Sequence, residues 1–170
     1  DTNGHIVLWP DRAVVATDAI PVTDIPSPQI VTNAMGDTMH VIRFDGSALL
    51  QTQRSVPATG SLFALFRPAP NTTGTRLVGW EDSAGGQHGV GLMLTANGGL
   101  HAILRRNGAS GDVVVPPSGT LDFQLVSLIW GPGGVTCFRN GEFVGTNTAI
   151  ESVSSDPAIA VLKIGGPGSG

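Results

Sequence analysis

Residues 121–145 read LDFQLVSLIWGPGGVTCFRNGEFVG, and this stretch limits the architecture more than any other in the chain. Asn140-Gly141 is a strong hairpin signal, because both central residues of a type I′ turn need positive φ. The order is strand, Gly/Pro turn, strand, two-residue turn, strand. Residues 124–130 form a run dominated by apolar and β-branched side chains and broken by Ser127. Such a run predicts a strand buried on both faces. Neither the strands nor the turns carry a catalytic signature, so the stretch speaks to fold and not to chemistry.

The same punctuation recurs along all 170 residues. The 24 glycines and 12 prolines are spread between apolar runs, which predicts many turns between short strands. In order, the expected strands are 5–9, 29–32, 39–44, 47–51, 61–67, 76–80, 89–95, 100–106, 112–115, then those of the opening stretch, and 161–164. Asp45-Gly46 and residues 96–99 provide further turns. Residues 11–28, with Pro21, Pro26 and Pro28, have no clear period and are expected to be mostly irregular. No segment of ten or more residues keeps a helical period, and no repeat of fixed length is present. The prediction is an all-β sandwich formed by a single domain over 1–164, with a Gly-rich flexible tail over 165–170.

Charge and cysteine usage exclude several classes of function. Charged residues are 13 % of the chain and the formal net charge is −4, with only Arg105-Arg106 adjacent among nine basic residues. That is not the footprint of a nucleic-acid partner. No apolar run is long enough for a membrane span, and no signal peptide is visible at Asp1. Cys137, the single cysteine, excludes an intrachain disulfide and is expected to be a small buried hydrophobe.

Several short motifs occur in series: Trp9-Pro10-Asp11-Arg12, Ile30-Val31-Thr32-Asn33, Val41-Ile42-Arg43-Phe44-Asp45-Gly46, the strand ending in Arg67-Pro68, Phe138-Arg139-Asn140-Gly141-Glu142, and Leu162-Lys163-Ile164-Gly165-Gly166. Together they resemble a laminin G-like domain of the concanavalin A-like lectin/glucanase superfamily, over nearly the whole chain. The resemblance implies a two-sheet antiparallel jelly-roll sandwich, with ligands on the concave face or the rim loops. It also implies calcium as the cofactor, for which Asp45, Glu81 and Asp82 are the candidate donors. The chain departs from that pattern in having no tyrosine, and in ending before the last strand that such domains carry.

The glucanases of that superfamily set three carboxylates on one face of a strand as Glu-x-Asp-x-Glu. Glycoside hydrolysis requires such paired carboxylates. Glu81, Glu142 and Glu151 do not form the pattern, and Glu81-Asp82, as neighbours, point to opposite faces of a strand. No Gly-x-Ser-x-Gly, His-Glu-x-x-His or phosphate-binding glycine loop is present. The sequence therefore predicts that the chain is not an enzyme. The polar segment 81–88 holds Glu81, Asp82, Gln87 and His88 beside Trp80, and this group is the candidate ligand contact. Carboxylates and amides bond sugar hydroxyls while an aromatic face stacks on the ring. Two readings of Trp80 stay open, a stacking platform and a cap on the core. His5, His40 and His101 are expected to be structural.

These readings predict a non-catalytic binding or adhesion module for a glycan or other surface polymer, located outside the cell or on a virion or cell surface. The competing prediction is a structural assembly protein, such as a capsid-decoration, fibre or appendage subunit, with protein partners or self-assembly. The shortened sandwich and the charge-poor composition favour that alternative, because an uncovered strand edge can pair with another chain.

Overall fold

The computed structural model describes residues 4–6, 8, 10, 18–32, 40–53, 55–69, 74–81, 89–95, 99–106, 109–120, 122–150 and 161–166, with Glu81 described by its backbone alone. Thirteen strands run through them: β1 Ile20–Pro21, β2 Gln29–Val31, β3 Val41–Arg43, β4 Leu49–Gln53, β5 Gly60–Phe66, β6 Thr75–Glu81, β7 Gly89–Leu94, β8 Leu100–Arg106, β9 Ala109–Val115, β10 Gln124–Gly131, β11 Gly134–Arg139, β12 Glu142–Asn147 and β13 Val161–Gly165. No helix occurs among the described residues, and none is long and apolar enough to cross a membrane. Every strand pairing is antiparallel. A seven-stranded sheet, β1-β4-β13-β6-β7-β8-β9, faces a four-stranded sheet, β12-β11-β10-β5, and β2-β3 form a separate ribbon. The fold is thus the predicted all-β jelly-roll sandwich.

Strand alternation assigns the inner faces. Val90, Leu92, Leu94, Leu100, Ala102, Leu104, Val113 and Val115 from the larger sheet meet Leu62, Val126, Leu128, Trp130, Val135 and Cys137 from the smaller one. Leu92, Leu104 and Leu128 lose all solvent contact, and each such side chain contributes about 1.5–3 kcal/mol by its burial. A second cluster covers the part of the larger sheet that four strands do not reach. There Leu50 on β4 and Ile164 on β13 pack with Ile6, Ala19, Ile42 and Phe44. Gly165, at φ +77°, leaves room for the Phe44 ring, which lies 2.1 Å from where a Cβ would stand.

The three-strand stretch folds in the order its sequence predicts, with one correction. Strand β10 is buried on one face only. Its outward residues Leu125 and Ile129 are 41 % and 47 % exposed, although both are apolar. The neighbouring β5 shows the same pattern at Phe63 and Leu65. A continuous apolar run has the same sequence signature whether a second layer covers it or not. Two further boundaries differ from expectation. Ile20–Pro21 pairs with β4 inside the segment expected to be irregular. At the other end, β13 runs through Gly165 and Gly166 is buried, its carbonyl accepting the Arg76 N–H at 3.0 Å. The tail boundary at 165 is therefore too early, and 167–170 lie outside the described residues.

Asn140 does more than turn the chain. At φ 52° it occupies the left-handed region, its N–H donates to the Leu125 carbonyl at 2.7 Å, and its Oδ1 accepts the Leu125 N–H at 2.9 Å. The turn between β11 and β12 is thereby tied to β10. Asn140→Ala loses the side-chain bond and adds the left-handed strain of a residue with a bulkless apolar side chain. The expected cost is about 2 kcal/mol, read as a lowered urea midpoint at unchanged slope.

Candidate functional site

The larger sheet carries an unusual gap in side chains on its outward face. Register sets the inward residues Val78 and Trp80 of β6 opposite Leu92 and Val90 of β7, so Gly79 and Gly91 face outward together. Gly89, two residues before Gly91, shares that face and stands opposite Arg105 of β8. Three neighbouring outward positions thus have no side chain, and the backbone itself becomes the floor of a shallow open groove. Its outward walls are Arg76, Met93, Ile103 and Arg105. Lys163 of β13 stands across Gly79 on the other side.

Close approach explains two of the glycines. A Cβ on Gly79 would lie 3.1 Å from the Gly91 Cα, and a Cβ on Gly91 would lie 2.9 Å from the Val78 carbonyl oxygen. The two strands therefore exclude side chains from each other at this pair. Arg76 is only 5 % exposed despite its outward register, whereas Arg105 is half-buried. At the far edge of the same face, His101 Nδ1 stands 4.0 Å from Asp112 Oδ2, and Ser110 Oγ donates to the other oxygen of that carboxylate.

The groove meets the predicted ligand contact at Trp80, one of its lining residues. Residues 82–88 connect the two strands that floor it, and Glu81 pairs with Gly89 at its end. Asp82, Gln87 and His88 lie outside the described residues, as does the side chain of Glu81. Of the two open readings of Trp80, a stacking platform and a cap on the core, the packing supports the second: the side chain is partly buried against the main cluster. Its register opposite Val90 turns it inward, and its ring lies 5.7 Å from that of Trp130 at 56°. The Trp80 Nε1 is buried with no hydrogen-bond partner among the described residues. Trp130 is buried as well, its Nε1–H donating to the Pro57 carbonyl at 2.9 Å. Reading the groove from sequence would have required the register, because Gly79, Gly89 and Gly91 look like three unrelated glycines until β6 and β7 are aligned.

Of the candidate calcium donors, Asp45 is described, and its carboxylate serves its own turn. Oδ1 accepts from the Ala48 N–H at 2.8 Å, the Ser47 hydroxyl at 2.9 Å and the Ser47 N–H at 3.0 Å. Among the described residues no group of three or more His, Cys, Asp or Glu side chains could hold a metal ion. Cys137 is fully buried, and desolvation pushes its thiol up to about 11, against the pull of Arg139. That is the inert thiol expected of a core position.

No family model matches the chain, and no curated protein matches it. Solved structures do share its fold. It is similar to a prokaryotic β-1,3-1,4-glucanase (lichenase) derived from a mouse hindgut metagenome, at 14 % identity and TM-score 0.54, covering 91 % of this chain and 68 % of that one. It is also similar to the β-glucanase of Bacillus licheniformis, at 10 % identity and TM-score 0.54, over 95 % and 70 %. A carbohydrate-binding module, CBM66 of Bacillus subtilis, aligns at 11 % identity and TM-score 0.46, over 83 % and 89 %. The two glucanases, at TM-score 0.54, show that the fold of this chain is a jelly-roll sandwich of the same kind. The prediction that the chain is not an enzyme is overturned by the same finding. Glycoside hydrolases share this fold, and a missing Glu-x-Asp-x-Glu motif excludes only one arrangement of carboxylates.

The bonds from Ala48 and Ser47 to the Asp45 carboxylate, led by Ala48, hold its pKa below the ordinary 3.8. A depressed carboxylate stabilises the fold above its unfolded pKa and loses that contribution as pH falls through the folded value. Asp45→Ala is therefore expected to lower the urea midpoint at pH 7 and to approach the parent protein near pH 2. An equal deficit at both pH values would count against the charge-linked role.

Proposed function

We propose that the chain binds a carbohydrate polymer in the groove on the outward face of the seven-stranded sheet. The observation that carries this reading is the backbone floor at Gly79, Gly89 and Gly91, edged by Met93, Ile103 and the two arginines. A sugar ring has apolar C–H faces and a polar hydroxyl edge. A floor without side chains admits the face, while the Arg105 guanidinium at the wall meets the edge. Gly89 and Gly91 lie about 7 Å apart along one strand, which favours an extended chain over a compact ligand. The β-glucanases that share the fold add support of an associational kind.

Affinity electrophoresis against a panel of soluble polysaccharides is the test. Retardation by at least one polymer is expected, and Met93→Trp, which fills the groove from an outward position, should abolish it. Unretarded migration through the whole panel would end the reading. Release of new reducing ends in the same incubations decides whether binding leads to hydrolysis.

A second reading, self-assembly, is favoured by the outer face of the four-stranded sheet. Phe63 and Phe143 are 67 % and 64 % exposed, and Leu65, Leu125 and Ile129 share the face with them. A contiguous apolar sheet surface of this kind is a feature of contact sites between chains. Under this reading sedimentation equilibrium gives a mass above 17.4 kDa, and Phe63→Ser with Phe143→Ser returns it to the monomer. A monomer at every concentration would rule out self-assembly.

A further inference from the structure

The described walls of the groove are basic, in a chain whose formal net charge is −4. Arg76 and Arg105 both line it, Lys163 stands beside its floor, and no Asp or Glu side chain lines it among the described residues. Arg105 is the informative member. It sits directly across the bare backbone of Gly89, half-buried, and its guanidinium makes no hydrogen bond or ion pair among the described residues. Holding a guanidinium partly out of water without a partner costs solvation free energy. A ligand that brings a negative charge to the groove recovers it, and the planar fork of an arginine fits a carboxylate or a sulfate by two parallel bonds.

We propose that the groove takes a polysaccharide bearing anionic groups, uronate carboxylates or sulfate esters, and that Arg105 is the side chain that recognises them. This rests on the reading that the groove binds carbohydrate. The floor accommodates the ring, and Arg105 selects the substituent. Because the protein as a whole is acidic, a polyanion is repelled by most of its surface. Attraction to one therefore reports a local site rather than a general charge effect.

The experiment compares three probes on the full chain by affinity electrophoresis and calorimetry: polygalacturonate for carboxylates, dextran sulfate for sulfate esters, and laminarin as a neutral glucan. Binding is expected to at least one acidic polymer, weakened by added salt, and weakened about tenfold in Arg105→Gln, with Arg105→Lys between the two. Which acidic probe binds distinguishes the carboxylate from the sulfate. Thermal melting of both variants monitors folding. Binding to laminarin alone would overturn the anionic assignment and leave the carbohydrate reading intact. Acidic-polymer binding unchanged in folded Arg105→Gln would overturn the role of Arg105. Failure of all three probes, together with the wider neutral panel, would remove both readings.

Discussion

A sheet of four strands cannot cover a sheet of seven, and the rest of the architecture follows from how that mismatch is resolved. The smaller sheet closes over β6 to β9, where Leu92, Leu104 and Leu128 lose all contact with solvent. Over β4 and β13 the covering passes to Ile42 of the β2-β3 ribbon, to Phe44 just after it, and to Ile6 and Ala19 before it. This second cover depends on Gly165, because any side chain there would occupy the space of the Phe44 ring. Hydrogen bonds hold the margins of the sandwich. Asn147 Nδ2 donates to the Asp112 carbonyl at 2.9 Å, joining edge strand β12 to edge strand β9. Arg139 donates to the Pro116 carbonyl just beyond β9. The two sheets are thus stitched along one side as well as packed face to face.

The groove is a by-product of this packing requirement. Inward positions on β6 and β7 must be large, and they are: Val78, Trp80, Val90 and Leu92. The outward positions between them carry no such demand, and the close approach of Gly79 to Gly91 allows no side chain on either. The same strands are therefore bulky on the inner face and bare on the outer one. Trp80 shows the consequence. A tryptophan beside a polar loop suggests sugar stacking, but it is one of the inward set and packs against Trp130 instead.

Most of the fold was legible because its signals are local. Asn140-Gly141 demanded a left-handed pair of residues, and the structure has φ 52° and 85° there. Asp45-Gly46 announced a turn, and the Asp45 carboxylate caps it. What was not legible depends on neighbours in space. Sequence could not tell that Leu125, Ile129, Phe63 and Leu65 lack a covering layer, since apolar character is the same under either condition. Nor could it align Gly79 with Gly91, because the β6-β7 ladder contains a register shift between Arg76 and Val78. That irregularity separates Arg76, outward, from Val78, inward, by two residues where simple alternation would put both on one face.

The sandwich also separates its two candidate surfaces. The groove lies on the outward face of the larger sheet and the apolar patch on the outward face of the smaller one, with the whole core between them. Stacked sheets stand about 10 Å apart, so neither occupant would touch the other. The chemistry of the two faces differs as well: arginines around bare backbone on one, and Phe, Leu and Ile side chains on the other. A hydrated, charged polymer and a protein surface would then bind without competition, and self-assembly through the apolar face would array the grooves outward. Several weak groove contacts on one polymer gain from such an array without any new contact, because each later binding event is intramolecular.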